Sequence, residues 1–400
     1  MSATALKADG ANLVSAFSRE TLPGWTYNNA EFFELERRRL LLGNWQIVCH
    51  VSEIAKPGDY ATLDLLGERA FVIRGEDGKV RAFHNVCRHR AAAVVQGATG
   101  HCNHAIRCFY HGWTYELDGR LKALPAEPTF AGLNKVNFGL KPLETETYLG
   151  FVFVRFMPGH GGVAERFAPY HDELAAYRIE QMVPTGRSWD VDIPVDWKNV
   201  MDNFLEGYHV PVGHPGLYRL FGNSYEVDVK PAYVARAVGR LRDKESSNWS
   251  ERHYQRLRPE VTHLPEPLRE SWRYYKMLPN FAFDVYPEQM DFFQVIPVAP
   301  GKSRLRGRMF GLPSNDRRMR AARWLSTRIN VEVFREDNAL IESVQAGLGT
   351  SAYGQGYFSE KEICLRQFHD MVREAIPVAT QVAQPEPGTV AALNAKLAAH

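Results

Sequence analysis

Two short segments, each pairing a cysteine with a histidine, limit the possible folds of this chain more than any other feature. The first pair is Cys87 and His89, and the second is Cys108 and His111. Eighteen residues lie between the two pairs. This is the donor set of a [2Fe–2S] cluster in which two histidines replace two cysteines on one iron. The pattern therefore predicts two loops that hold such a cluster.

A structural zinc site is the alternative, because zinc also accepts two cysteines and two histidines. Common zinc fingers keep the two cysteines together and the two histidines together, whereas each segment here is mixed. The mixed order favours the iron–sulfur cluster. A zinc site would make the chain a zinc-stapled binding module without redox chemistry. A third interpretation treats all four as ordinary core or surface residues.

The size and composition of the chain are those of a globular protein with two cores. It has 400 residues, of which 45% are hydrophobic and 24% are charged. A formal charge of +2 gives no indication of nucleic acid or an anionic membrane as a partner. No run of eighteen apolar residues occurs, and Met1–Gly10 lacks the apolar core of a secretory signal. Five cysteines argue against a disulfide framework, so we expect a cytoplasmic protein.

The residue patterns divide the chain into four parts and predict an α+β fold. Residues 1–44 form an N-terminal helical segment, which we expect to pack with the later domain. Short strand-like runs separated by turn signals predict a small all-β domain over 45–157. Residues 158–376 mix helical and strand patterns and form the second domain. Residues 377–400 have few aromatic residues and are predicted to be a loosely ordered, flexible tail.

Helices and strands can also be predicted within the second domain. A helix is predicted over 164–178 and another from Asp196. The remaining predictions are strands over 188–194, 223–242 and 280–312, and helices over 314–330, 332–347 and 359–375. The segment 272–293 carries eight aromatic residues that either form walls of a pocket or belong to the core of the sheet.

A second cluster of metal-binding residue types lies about a hundred residues after the cysteine pairs. Glu206 and His209 are three apart, so on a helix they share a face. Pro211 and Gly213 are predicted to end that helix and to bring His214 back beside His209. Two histidines and one carboxylate leave open positions on a mononuclear iron, which is why oxygenases use this set. A hydrogen-bonded or surface pair of histidines is the alternative.

With both motifs in this order, the chain resembles the Rieske non-haem iron oxygenases from about residue 25 to 375. The resemblance implies a Rieske domain over 45–157 and a mononuclear iron catalytic domain over 158–376, with an antiparallel sheet flanked by helices in a helix-grip-like arrangement. The family usually has proline after its second cluster cysteine, where this chain has Phe109. That difference changes the packing of the loop but leaves the four cluster ligands in place.

The resemblance also assigns roles to particular residues. It implies that His209, His214 and a carboxylate on a late helix bind the iron, and Asp337 matches that carboxylate, with Glu336 as its closest competitor. Glu206 matches the position that bridges a cluster histidine of one subunit and an iron-ligand histidine of the next. Many ring dioxygenases have aspartate there, and an ordinary surface glutamate is the alternative. Asp202, in the same segment, is a further catalytic candidate.

The implied reaction uses O2 and electrons that a separate reductase takes from NAD(P)H. The chain has no Gly-x-Gly-x-x-Gly fingerprint after a strand, so the reductase must be a partner. The family forms ring-shaped trimers, and we expect a homotrimer. The glutamate at the bridge most resembles the branch that oxidises betaines, carnitine and choline-like compounds, by monooxygenation or N-demethylation. Hydroxylation of an aromatic ring and an electron-transfer protein without oxygenase chemistry are the alternatives.

Overall fold

The computed structural model describes residues 17–231 and 233–399, and these form two compact units. One unit is Leu42–Val163, compared with the 45–157 expected from the sequence. The described residues on either side of it form the other unit. The first sixteen residues of the predicted N-terminal segment lie outside the described part. Within that part, no helix has the length and apolar character needed to cross a membrane.

The unit Leu42–Val163 is built from ten short strands in three antiparallel sheets. Their order is β1-β10-β9 in the first sheet, β4-β3-β2-β5 in the second and β6-β7-β8 in the third. The strands are β1 (Gln46–His50), β2 (Asp59–Leu65), β3 (Glu68–Arg74), β4 (Val80–His84), β5 (Thr99–His101), β6 (Ile106–Arg107), β7 (Thr114–Tyr115), β8 (Leu121–Ala123), β9 (Glu144–Tyr148) and β10 (Phe151–Arg155). The predicted small β domain is therefore confirmed. Cys87 and Cys108 pack into its core together with Phe71, Trp113 and Tyr115.

The other unit contains one seven-stranded antiparallel sheet with the order β11-β17-β16-β15-β14-β13-β12. The strands are β11 (Val183–Ile193), β12 (Glu226–Lys230), β13 (Val234–Arg240), β14 (Ser271–Met277), β15 (Phe281–Val285), β16 (Met290–Ala299) and β17 (Lys302–Gly311). Strands β12 to β17 pair in chain order, with the long helical connection 241–270 between β13 and β14. Strand β11 pairs with β17 at the opposite edge. This sheet with its helices confirms the α+β class.

Eleven α-helices are described, ten of them entirely outside the β unit. They are α1 (Ala30–Glu36), α2 (Val163–Phe167), α3 (His171–Ala176), α4 (Trp197–Leu205), α5 (Val210–Gly213), α6 (Pro215–Phe221), α7 (Trp249–Leu257), α8 (Glu266–Arg269), α9 (Arg317–Leu348), α10 (Ile363–Ala375) and α11 (Val390–Leu397). A short π-helical turn, Arg37–Leu41, continues α1. The predicted helix over 164–178 is divided into α2 and α3 by a 3₁₀ turn that contains Pro169.

Two predictions about the end of the chain were wrong. The two helices predicted over 314–330 and 332–347 are one continuous helix, α9, because no proline or glycine interrupts the chain between them. The tail predicted to be loosely ordered contains α11. Its Val390 is fully buried and its backbone N–H donates to Glu31 on α1. The contact with α1 orders a segment whose composition alone does not indicate structure.

A buried ion-pair cluster joins the N-terminal segment to the start of α4. The ammonium group of Lys198 lies 2.6 Å from Glu36 and 2.7 Å from Asp196, and all three side chains are inaccessible to solvent. The indole N–H of Trp197 also donates to Glu36. These contacts hold α4 in place, and α4 leads directly into the segment that carries the predicted iron ligands.

Candidate active site

The structure brings His209, His214 and Asp337 together, with one donor atom from each inside a 4.8 Å cluster. The Nε2 atom of His214 lies 2.9 Å from Oδ1 of Asp337, and that of His209 lies 3.8 Å from the same oxygen. The two imidazole rings have centroids 4.9 Å apart and are nearly perpendicular. Three donors from three points of the chain therefore converge on one small volume.

The segment that carries the two histidines does not have the predicted helical form. Helix α4 ends at Leu205, and Glu206 has an extended backbone. The Glu206 carboxylate then accepts the backbone N–H groups of Tyr208 and His209. The predicted helix through Glu206 and His209 is therefore absent, and the Glu206 side chain caps a turn at this point instead. The short helix α5 starts after His209, and His214 follows its end, so the predicted proximity of the histidines is correct for a different reason.

We call His209, His214 and Asp337 the triad. Each of its two histidines has a carboxylate on the far side of its ring. Glu206 contacts Nδ1 of His209, and Glu336 lies 2.8 Å from Nδ1 of His214. A carboxylate at Nδ1 orients the ring so that Nε2 points toward a metal. Asn203 completes the arrangement, because its amide donates to Oδ1 of Asp337 at 2.5 Å.

The donor set fits a mononuclear iron. Two neutral imidazole nitrogens and one carboxylate form the facial set that leaves coordination positions for O2 and water. Burial acts to lower the pKa of His214, but the nearby Asp337 and Glu336 carboxylates outweigh it and raise the pKa. The electrostatic environment at this point therefore favours positive charge, as a metal cation requires.

Glu336 and Asn203 have contacts that the sequence did not indicate. Sequence spacing left Glu336 as a competitor for the ligand position of Asp337, yet its carboxylate contacts the opposite nitrogen of His214. Asp202 lies beside Asn203 on α4 and points into another network. It accepts a hydrogen bond from Tyr27 at 2.6 Å and contacts Nε2 of His369 at 2.8 Å. A catalytic role for Asp202 stays a prediction.

A cavity of about 770 Å³ opens beside the triad and includes all three of its residues in the lining. Its walls combine aromatic, aliphatic and polar side chains. Three residues of the aromatic segment 272–293 line it, namely Tyr274, Tyr286 and Phe293, together with Tyr225 and Trp189. The other aromatic residues of that segment do not line this cavity. Some aromatic residues of the segment therefore form pocket walls and others belong to the core of the sheet. Alternate residues of a strand point to opposite faces, which allows both.

Two aspartates, Asp284 and Asp291, also line the cavity and were missed by the sequence analysis. Each lies in a strand that is otherwise dominated by apolar residues, β15 or β16. An acidic residue within a buried apolar strand is a signal that could have identified them, because an unpaired carboxylate is seldom tolerated there.

The four residues predicted to bind the cluster lie together at the loops of the β unit. Cys87 and Cys108 are buried, and the rings of His89 and His111 have centroids 4.6 Å apart. Nδ1 of His89 is buried without a hydrogen-bond partner, which is the condition of a nitrogen that binds a metal. Trp113 stacks on His89 at 5.0 Å. These residues fit a [2Fe–2S] cluster with two cysteine and two histidine ligands.

The surface next to each site carries exposed apolar side chains. Phe109, which replaces the usual proline, is 66% exposed, and Tyr110 is 52% exposed beside the cluster ligands. In the catalytic unit, Tyr208 and Val212 flank His209 and are 58% and 87% exposed. Large apolar side chains grouped near a functional site are typical of a surface that another protein covers.

Comparisons of the sequence with protein families give two matches. Residues 44–142 match the Rieske [2Fe-2S] domain, and residues 182–377 match the ring hydroxylating alpha subunit (catalytic domain). The carnitine monooxygenase oxygenase subunit of Acinetobacter pittii is 31% identical over 84% of this chain and 87% of its own length. The chloroplastic choline monooxygenase of Arabidopsis thaliana is 30% identical over 87% of this chain and 81% of its own length.

A solved structure with a similar fold is that of the quaternary ammonium Rieske monooxygenase CntA in complex with the substrate L-carnitine. The two chains are 26% identical and superpose with a TM-score of 0.74. The match covers 91% of this chain and 97% of the other.

Proposed function

The chain belongs to the family of Rieske non-haem iron oxygenases with a ring-hydroxylating alpha-subunit catalytic domain, and we propose that it oxidises a small quaternary-ammonium compound. As a terminal oxygenase, it would receive electrons from a separate NAD(P)H-dependent reductase. The observation that carries this proposal is the cavity in which aromatic side chains adjoin the triad. Relatives named for carnitine, choline and glycine betaine support the same substrate class.

Both cofactors of this family have residues in the chain that can hold them. We propose that Cys87, His89, Cys108 and His111 bind the [2Fe–2S] cluster and that the triad binds the mononuclear iron. When bound, the cluster supplies single electrons and the iron supplies a site at which O2 is reduced.

The proposed reaction inserts one oxygen atom of O2 into a C–H bond next to the ammonium nitrogen. Two electrons and two protons reduce the second oxygen atom to water. If the oxidised carbon is an N-methyl group, the hydroxymethyl product breaks its C–N bond and releases formaldehyde and a demethylated amine. The chain contributes by orienting the substrate against the triad and by surrounding it with apolar walls that exclude water.

We propose that Glu206 is the bridge between the two metal sites, across a subunit boundary. Its carboxylate already contacts Nδ1 of His209 and is about nine-tenths buried. The exposed apolar residues Tyr208 and Val212 lie on the same segment, and Phe109 and Tyr110 lie beside the cluster ligands. A homotrimer in which these surfaces are covered would bring a cluster to the Glu206 side of a neighbouring subunit. Inter-subunit electron transfer has been described for a quaternary ammonium Rieske monooxygenase of similar fold.

A single turnover of the reduced, iron-loaded protein tests the proposed function. Choline, glycine betaine and L-carnitine form one panel, and aromatic acids of similar size form the other. Mass spectrometry follows the products, and a formaldehyde assay detects demethylation. We expect oxygenated or demethylated amines. A hydroxylated ring with no amine product would replace the proposal with aromatic hydroxylation, and cluster oxidation without any product would indicate an electron-transfer protein.

A further inference from the structure

The lining of the cavity includes two carboxylates that the reaction chemistry does not use. We propose that Asp284 and Asp291 form a cation-binding pair that holds the ammonium group of the substrate beside the triad. The inference rests on the proposed function and deepens it, because it assigns the charge selectivity of the site to two residues. An organic cation would bind here, whereas a neutral molecule of the same shape or an anion would be rejected.

The register of the sheet places the two carboxylates side by side. Asp284 on β15 pairs directly with Asp291 on β16, and Tyr274 on β14 is the opposite neighbour of Asp284. Directly opposite residues of antiparallel strands have Cβ atoms roughly 4.5–5.5 Å apart and point to the same face. Asp284 is 8% exposed and Asp291 is 6% exposed. Burial raises the pKa of both carboxyl groups, and the charge of Asp284 raises that of Asp291 further, so the pair tends to hold a proton unless a cation lies against it.

The protein donates few hydrogen bonds to these carboxylates. Oδ1 of Asp284 is buried without a hydrogen-bond partner, and Asp291 receives only a long hydrogen bond, 3.4 Å, from Tyr286. Among the described residues, neither aspartate forms an ion pair. A largely buried carboxylate with an unsatisfied oxygen, in a residue that lines a cavity, is a feature expected of a ligand site.

Lys276, whose charge acts on Asp284, and the two arginines that line the cavity, Arg320 and Arg323, donate their hydrogen bonds elsewhere. Lys276 is fully buried on β14, and its ammonium group donates to the carbonyl of Phe204 at 2.5 Å. Arg323 lines the cavity but donates to the backbone carbonyls of Glu288 and Leu312. The carboxylate pair therefore keeps an acceptor surface that these protein cations do not fill, and a cation from outside can bind to it.

Aromatic rings next to the pair complete a site for a methylated ammonium group. Tyr225, Tyr274 and Tyr286 line the same cavity as the two aspartates. The face of an aromatic ring attracts an organic cation, and this attraction is strongest where water is excluded. A quaternary ammonium group has no N–H, so the carboxylates would act on it through charge. A protonated tertiary amine could in addition donate its N–H to the Asp284 carboxylate.

Binding to the intact holoenzyme, measured by calorimetry without O2, tests the pair independently of turnover. The ligands are choline and its uncharged isostere 3,3-dimethylbutan-1-ol. The variants are Asp284→Asn and Asp291→Asn, which keep shape and remove charge, with the exposed Asp192→Asn as the matched control. We expect the Kd of choline to rise at least tenfold in both pair variants and to stay unchanged in the control. The isostere should bind all four proteins weakly and equally.

Three results would overturn the inference. The first is unchanged choline affinity in both pair variants. The second is an equal loss of choline and isostere binding, which would mean that the aspartates only shape the cavity. The third is a wild-type protein that binds none of choline, glycine betaine and L-carnitine, in which case the proposed function also fails. If wild type turns over an amine and the variants keep their choline affinity, the carboxylate pair is excluded but the proposed function stands.

A second ligand comparison distinguishes the two kinds of ammonium cation. Tighter binding of N,N-dimethylethanolamine than of choline, lost in Asp284→Asn, would support a hydrogen bond from its N–H to Asp284. Tighter binding of choline, again lost in that variant, would support recognition of a quaternary group through charge. The absorption spectrum of the cluster and the iron content confirm that each variant is folded.

Discussion

Glu336 and Asp337 are adjacent in the sequence but contact opposite nitrogens of one imidazole ring, that of His214. The Glu336 carboxylate is 2.8 Å from Nδ1, and Oδ1 of Asp337 is 2.9 Å from Nε2. Successive residues of a helix point about 100° apart, and here the two side chains reach around the ring from α9. We therefore propose different tasks for the two carboxylates, with Asp337 as the iron ligand and Glu336 as the hydrogen-bond partner of the ligand histidine.

The two acids are therefore expected to respond differently to substitution. Asp337→Asn should lose the mononuclear iron and turnover, because a ligand charge is removed, while the visible spectrum of the cluster remains. Glu336→Gln should keep the iron but bind it roughly 10–100-fold more weakly, as is typical when the partner of a ligand histidine is altered. Titration with ferrous iron measures both. Loss of iron in Glu336→Gln with weakened binding in Asp337→Asn would instead make Glu336 the ligand.

Site residues that lie close together in the sequence were easier to predict than those that lie far apart. His209 and His214 are five apart, so spacing alone brought them together. Asp337 was proposed only from the family resemblance, because more than a hundred residues separate it from the histidines. The contacts of Asn203 and Glu336 depend on how α4 and α9 pack, and that packing is a tertiary property that no local pattern encodes.

The fold was predicted best where local patterns decide it. Turn residues and alternating side chains gave the strands of the β unit, since each hairpin is specified within a few residues. The wrong predictions have both tertiary and local causes. Helix α11 depends on the burial of Val390 and a hydrogen bond to Glu31, and the chain leaves helical geometry at Glu206 because that side chain binds the backbone ahead of it.

Glu206→Gln tests the proposed bridge. An amide keeps the length of the side chain but has one acceptor oxygen where the carboxylate has two, and it lacks the charge that stabilises a protonated histidine. We expect both metals to be retained and the oxidation of the reduced cluster, followed by stopped-flow absorbance in the presence of substrate and O2, to slow at least tenfold. Glu342→Gln, on the exposed face of α9, is the control and should not change the rate. Normal rates in Glu206→Gln would exclude the bridge.

Val212→Asp tests whether the exposed segment around His209 is covered in an oligomer. Val212 is 87% exposed, so a charge there costs the isolated chain little, but it would be costly inside an apolar interface. We expect wild type to sediment as a trimer and the variant as a smaller species with intact cluster absorption. Val298→Asp, at an exposed valine on β16, is the control. A wild-type protein that sediments as a monomer contradicts the proposed assembly.

The buried carboxyl of Asp284 should make stability depend on pH. Burial raises the pKa of Asp284 to about 7, even though Lys276 acts in the opposite direction. The unfolded pKa is about 3.9, so the folded protein holds a proton that the unfolded chain releases. Proton binding by Asp284 therefore adds to the free energy of unfolding. This contribution is fully present below about pH 4 and is lost as pH rises through about 7.

Asp284→Asn removes this dependence, since the amide does not ionise. Its Tm, measured by calorimetry without ligand, should exceed that of wild type at pH 8, and the difference should shrink toward pH 5. The hydrogen bond from Arg304 holds the pKa of the exposed Asp192 below its usual value, so Asp192→Asn should gain nothing at pH 8. A constant difference between Asp284→Asn and wild type across this range would show that the carboxyl does not titrate there.

Lys198→Met tests how much the buried ion-pair cluster contributes to stability. The variant fills the space of the alkyl chain but leaves Glu36 and Asp196 buried without their cation. Breaking a buried pair from one side typically costs about 3–5 kcal/mol, because the remaining charge has neither water nor a partner. The loss should be larger at pH 8 than at pH 5, since burial raises the pKa of Glu36 to about 7 and protonation relieves part of the penalty.

Arg38→Met is the matched control, because its ion pair lies nearby but faces solvent. The Arg38 guanidinium is 2.6 Å from Glu34, and the two side chains are 67% and 46% exposed. Water screens such a pair, so its removal should cost about 0–1 kcal/mol with little pH dependence over the same range. Urea unfolding followed by the fluorescence of the aromatic core compares the two variants. Equal losses would mean that burial does not set the strength of the Lys198 cluster, and that α4 is held in place by its apolar contacts instead.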